Sequence, residues 1–332
     1  MPSAFELKAK TQQAGFRQSS PTVSALGRSS TDPAGKRHPH LLGLGAEADN
    51  LYPGLRNSAG AIAFFEEREI QWWQAERAGD AGKPHTPTRN MASSQIACVN
   101  FMLPLGAHPA ALLAVMRSID PEVREVLQIH HRGLSTYVEH EWVGCCTTLE
   151  PGGYMRGAQR TSVDAMVIAA TPTGRRAFLI EWKYVEESGD DSQAEGSQGH
   201  TRRERYQERF KRSHAFRRGL KLADVLHDPV YQFARMALLG DRMVEHRELG
   251  IADYRLVLVC SSGNAAYRQL TKINQTRWKG ATMVAEVLKE RVFADGLFIV
   301  TSQAQLLQAA STTSDAAITA WAEYHRARYD WT

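Results

Sequence analysis

Asp164, Glu181 and Lys183 are the residues whose types and spacing could do chemistry together. Two carboxylates beside an ammonium can hold a divalent cation and act on an attacking water. The triplet Glu181-Trp182-Lys183 says little alone, since a Glu-x-Lys arises by chance about once per few hundred residues. Its setting says more. Ser162 to Tyr184 reads as a β-hairpin closed by Thr171-Pro172-Thr173-Gly174, with proline and glycine in the second and fourth places of a type I turn. A symmetric hairpin about this turn pairs residues whose numbers sum to 345, which sets Asp164 directly opposite Glu181. Such partners have Cβ atoms roughly 4.5–5.5 Å apart on one face, and Lys183, two residues on, shares that face.

The strands are otherwise apolar: Ala165, Met166, Val167 and Ile168 on one, Phe178, Leu179 and Ile180 on the other. Like charges opposed in a sheet destabilise it, and desolvating them costs several kcal/mol more. A compensating cation removes the conflict, and Mg²⁺ held by two carboxylates, with water and phosphate oxygens completing its octahedron, is one (Mn²⁺ can substitute). The alternative is a surface ion pair in which Lys183 neutralises one carboxylate at the strand end.

Other segments must position this hairpin. A helix is predicted from about Ala59 to Arg77, another beginning in SSQIACVNFMLPLG, and helical structure from Pro109 to about Ile129, interrupted near Asp120-Pro121. Ser135 to Gly144 alternates as a strand, and Glu150 to Arg160 is a loop. Beyond the hairpin come a polar loop from Glu186 to about Gly199, a basic stretch, and an amphipathic helix opened by Asp228-Pro229. Tyr254 to Cys260 and Gly296 to Val300 read as buried strands, and Asp315 to Tyr329 as a helix. The order implies an α/β fold around a mixed sheet.

The composition is that of a globular protein with a net charge of +4, which permits a polyanionic partner without requiring one. Charge concentrates in Arg202 to Lys221, with nine Lys/Arg against two Glu and Tyr206, Phe210 and Phe216 interleaved. That pattern suits a polyanion-contacting face, or equally a solvated helix whose aromatics dock on the core. The four cysteines lack zinc spacing and read as reduced thiols of a cytoplasmic protein, three of them packed in the core. No uninterrupted apolar run of membrane-spanning length is present, and the N-terminus lacks a secretory h-region. The histidines (RHPH from Arg37 to His40, His130 and His131, His227) form no HExxH or Cys/His pattern, and GLGAEADN lacks the lysine of an NTPase loop.

Asp164, a hairpin, and then Glu181-Trp182-Lys183 resembles the signature of the PD-(D/E)XK, restriction-endonuclease-like nucleases, with Val163 where the motif has proline. The stretches PTRNMASSQIACVNFMLPL, RGAQRTSVDAMVIA, LIEWKYVEE and DPVYQFARMALL, between Pro87 and Leu239, resemble a group of restriction endonucleases in that superfamily. The resemblance implies an α/β restriction-endonuclease-like core whose central mixed sheet carries the site in its hairpin and is flanked by helices. It implies Mg²⁺ bound by Asp164, Glu181 and the backbone carbonyl of Trp182, with Lys183 positioning or activating the attacking water. Relatives place a further acidic residue before the hairpin: Glu141 is the first choice, Glu139 and Glu125 the alternatives. Gln95, Gln232 and Arg235 are accessory candidates. DNA is the implied partner, contacted by Arg202, Arg203, Arg209, Arg217 and Arg218, and a homodimer could cut both strands. The expected organisation is a disordered basic arm (1–45), a helical extension (46–89), the nuclease core (90–262) and a C-terminal α/β extension packed on it (263–332). A non-catalytic nucleic-acid-binding protein of the same fold, and an unrelated α/β enzyme, are the competing readings.

Overall fold

The two-residue turn at Pro172-Thr173 sets the register on which the sheet is built. In the computed structural model, which describes residues 2–29, 38–73, 86–145, 148–150, 160–329 and 331, β5 (Val163–Thr171) and β6 (Gly174–Lys183) pair from Thr171 and Gly174 to Ala165 and Ile180. Every pair sums to 345, as predicted. On the other edge of β5 lie two short antiparallel strands end to end, β1 (Glu125–Leu127) and β4 (Glu139–Trp142). β2 (Ile129–His131) and β3 (Leu134–Thr136) form a separate small hairpin between them. On the far side, β7 (Ile251–Cys260) and β8 (Phe298–Thr301) add in parallel, completing a mixed six-stranded sheet.

Alternation along the strands divides the core into two layers. Met166, Ile168, Ala177, Leu179, Leu256 and Leu258 face one way, packed beneath Tyr206 and Phe210 of helix α4 (Gly196–Arg212) and Phe233 and Met236 of α5 (Val230–Glu245). Ala165, Val167, Phe178, Ile180, Trp182 and Val257 face the other way. They are covered by α1 (Ala4–Ser19), α2 (Ser94–Leu105), α3 (Pro109–Ile119), α6 (Gln303–Ala310) and α7 (Ala316–Arg328), the labels marking helices of eight residues or more. A third cluster joins Leu51, Phe65 and Trp72 to Ile96 and Val99 on α2.

Several expectations are corrected. The N-terminal arm is not disordered over its described residues. Ser3 caps α1, Ala9 and Phe16 join the core, and buried Gln13 donates to the Tyr184 hydroxyl and the Arg328 carbonyl. The 263–332 segment packs on the core, supplying β8 to the sheet and α6 and α7 to one of its layers. The helix at Ala59 is short, Ala61–Glu67, and is followed by a left-handed residue, Glu69 at φ 54°; residues 74–77 lie outside the described ones, as do 151–159 of the predicted loop. The helix from Pro109 stops at Ile119, since Pro121 disfavours helical geometry at Asp120, and the chain turns into β1 and β2. The Ser135–Gly144 strand is two strands, broken where Thr136 bonds across Tyr137 to Val138.

Arg328 ties the two ends of the described chain together. Its buried guanidinium donates to Gln13 Oε1 (3.1 Å), the Asn50 carbonyl (2.5 Å), the Tyr324 hydroxyl (2.6 Å) and Asn50 Oδ1. Arg328→Leu strands those acceptors away from water, where each unpaired group costs about 1–3 kcal/mol. Urea unfolding should show a loss of about 3 kcal/mol; a loss under about 1 kcal/mol would contradict this account.

Candidate active site

Three carboxylates stand in one row across adjacent strands. The β5–β6 register, carried one step beyond Ala165 and Ile180, sets Asp164 opposite Glu181. The β4–β5 register pairs His140 with Ala165 and Trp142 with Val163, which leaves Glu141 beside Asp164. Glu141 has φ 48°, a left-handed conformation that a non-glycine residue adopts only where its surroundings hold it. Those surroundings are Gln95 Nε2, donating to Glu141 Oε1 at 2.9 Å, and the Ser162 hydroxyl, donating to Oε2 at 2.9 Å. Gln95 sits in the first turn of α2, where its Oε1 also accepts the Trp73 N–H at 2.8 Å.

The lysine and a glutamine close on the second carboxylate. Lys183 Nζ lies 2.6 Å from Glu181 Oε1 and donates to Gln232 Oε1 at 3.0 Å, while Gln232 Nε2 donates to Glu181 Oε1 at 2.5 Å. Gln232 comes from the first turns of α5, which crosses the end of β6. Glu181 is buried and its Oε2 has no hydrogen-bond partner. Asp164 Oδ2 accepts the Trp182 N–H at 2.7 Å. Burial, then the charges of Glu181 and Glu141, push the Asp164 carboxyl well above its ordinary range. Burial alone would lower the Lys183 ammonium, but Glu181, with Tyr267 and Glu186 beside it, holds it well above its usual range.

The donor chemistry fits a hard cation. Oxygen donors dominate, and Glu181 Oε2 is a buried acceptor with no hydrogen-bond partner. Among the described residues, no three His, Cys, Asp or Glu side chains cluster closely enough to enclose an ion by themselves. The two central carboxylates would therefore share an ion with water and substrate oxygens.

The other predicted residues divide. Glu139 is withdrawn from the site: it is buried and bound by Arg68 Nε at 3.1 and 3.2 Å. Glu125 is exposed at the far end of the hairpin, opposite Ala170. At Trp182 the backbone N–H meets a site carboxylate, and the indole packs on the opposite layer. Arg235 rests over the Tyr231 ring at 5.1 Å and reaches the Arg160 carbonyl at 3.4 Å. Arg202 lies over the same ring at 5.3 Å, Arg203 donates to the Ala194 carbonyl, and Arg217 pairs with Asp295. Arg209 lies in a cleft between α4 and α5 and Arg218 is exposed. Cys98 and Cys260 are buried free thiols, Cys145 is half-buried, and Cys146 lies outside the described residues. Sequence reasoning missed Ser162 and His140, whose Nδ1 lies 2.9 Å from the Asp164 carbonyl oxygen. Both flank the site in sequence or register, a signal that only the β4 pairing makes readable.

A mixed sheet between helical layers, with an acidic row and lysine at the end of its central hairpin, has the architecture of a restriction-endonuclease-like core. The chain belongs to the family described as restriction endonuclease associating with ARP, which matches residues 65–330. That places it among nucleases, with DNA as the substrate the family implies. No curated protein and no solved structure matches the chain.

Asp164→Asn keeps an acceptor for the Trp182 N–H and removes one of the opposed charges. A carboxyl whose folded-state pKa is raised imposes no penalty below its unfolded value of about 3.9, and an increasing one as pH rises through the folded value. In EDTA, the melting temperature of Asp164→Asn should therefore gain on that of the unsubstituted protein as pH increases from about 4 towards neutrality. A gap that stays flat with pH, or favours the aspartate, would refute the placement of these charges.

Proposed function

We propose that the protein is an Mg²⁺-dependent endodeoxyribonuclease of restriction, defence or DNA processing, acting in the cytoplasm. The observation that carries the reading is the opposition of Asp164 and Glu181 in a desolvated strand pair, with Lys183 on the same face. Asp164, Glu181 and the Trp182 carbonyl would hold the ion, which when bound supplies charge to the scissile phosphate and acidifies water. Lys183 would orient the attacking water and offset charge developing on the phosphate. Gln232 holds both Lys183 and Glu181, so it fixes the ammonium against the carboxylate instead of leaving it to swing on its stem. Glu141, fastened by Gln95 and Ser162, would lend a third negative charge at the rim. The free thiols fit a reducing compartment.

The competing ion pair, Lys183 closed on Glu181, accounts for one carboxylate and leaves Asp164 and Glu181 Oε2 unexplained. A binding protein that keeps the fold would need none of the three groups together.

Plasmid and single-stranded DNA incubated with Mg²⁺, Mn²⁺ or EDTA test the proposal. Cleavage should require the metal, and Asp164→Ala, Glu181→Ala and Lys183→Ala should each reduce it at least 100-fold, roughly the scale of losing one electrostatic or acid–base contribution. DNA binding without metal-dependent cleavage would leave the binding-protein reading in its place.

A further inference from the structure

Two helices leave the candidate site side by side and carry arginines along their seam. In α4, Arg202, Arg205, Arg209 and Arg212 recur at intervals of three and four, which is one helix face. In α5, Arg235 and Arg242 belong to the face that begins at Tyr231, the neighbour of Gln232. The helices run in the same direction. Arg202 lies over the Tyr231 ring at one end, and the Ser213 hydroxyl meets Asp241 at the other. Towards that far end the seam opens into a cleft of about 750 Å³ whose lining includes Arg205, Arg209, Arg212 and Arg242.

These four guanidiniums have no ion pair or hydrogen bond among the described residues, although acidic groups line the same cleft. The acids are engaged elsewhere. Asp241 binds Ser213 and Tyr254, Asp253 binds Arg176 and Arg255, and Glu208 binds Lys211. Glu245 lies 3.9 Å from His246. Burial, and then the charge of Arg242, lower the pKa of Arg209, with Glu245 and Glu150 opposing the shift. Arg242 Nε is itself buried and unpartnered.

We propose that this seam is the path of a DNA strand's phosphodiester backbone as it runs away from the candidate site. The proposal rests on the nuclease reading and adds to it where the substrate lies. Length favours a polymer over a single anion. From Gln232 to Arg242 the helix rises about 15 Å, the axial rise of roughly four or five nucleotides of a duplex strand. A lone phosphate would satisfy only one end. Arg205, Arg209, Arg212 and Arg242 carry this role, since Arg202, Arg203, Arg217 and Arg235 already have protein partners.

The test measures affinity for a fluorescent duplex against salt, with Asp164→Ala in every protein so that substrate survives. Replacing Arg205, Arg209 and Arg242 by Gln should lower the magnitude of the log–log salt slope by about 2.7, at about 0.9 per phosphate contact. The same change at Arg203, Arg217 and Arg218 should lower it by less than about 1. An unchanged slope in the seam variant overturns the proposal, and if the protein also cleaves DNA, the nuclease reading survives that loss. A parent protein that binds no DNA overturns both. Should the triple variant fail to fold, Arg242→Gln alone should lower the slope by about 0.9, and no change there is equally fatal.

Discussion

The candidate site depends on one electrostatic conflict. Asp164 and Glu181 are opposed on neighbouring strands, with Glu141 beside them, at the end of a hairpin that is otherwise apolar. Folding carries Asp164 out of water and towards Glu181 and Glu141, and both changes favour its neutral carboxyl. The protein answers with Lys183 and Gln232 on one oxygen of Glu181 and with the Trp182 N–H on Asp164. One oxygen of Glu181 remains unanswered. A cation bound there would offset both carboxylate charges.

The fold holds the conflict in place. β6 is the hinge of the mixed sheet, with an antiparallel neighbour on one side and a parallel one on the other, and it is covered by helices on both faces. Glu181 and Lys183 lie at its C-terminal end, where β6 and its parallel neighbour β7 run out. Ligands gather outside the carboxyl ends of such strands. The N-terminal end of α5 arrives at the same place and delivers Gln232, and its positive end favours negative charge nearby. The seam between α4 and α5 then leads from this point along the surface.

Much of this was legible in the sequence because a two-residue turn fixes both register and parity. Pro172 and Thr173 leave one way for apolar alternation to match on both strands, and the acidic opposition follows. Gln95, Gln232 and Glu141 were within reach for a similar reason, each lying on a short element beside the hairpin. What could not be read depends on distant partners. α1 buries Gln13 alongside Ala9, Phe16 and Arg17, and the partners that satisfy it, Tyr184 and Arg328, lie 171 and 315 positions away. Nothing near Glu139 tells that Arg68 will neutralise it. Among the arginines of α4, composition could not separate those with protein partners from those without.

The measurement that bears most directly on the account is anomalous scattering from a crystal soaked in Mn²⁺. A single strong peak is expected between the carboxylates of Asp164 and Glu181, within coordination distance of Glu181 Oε2, and its loss in Asp164→Asn crystals treated alike. A soaked crystal with no peak there, with Lys183 still closed on Glu181 and both carboxylates unmoved, would contradict it.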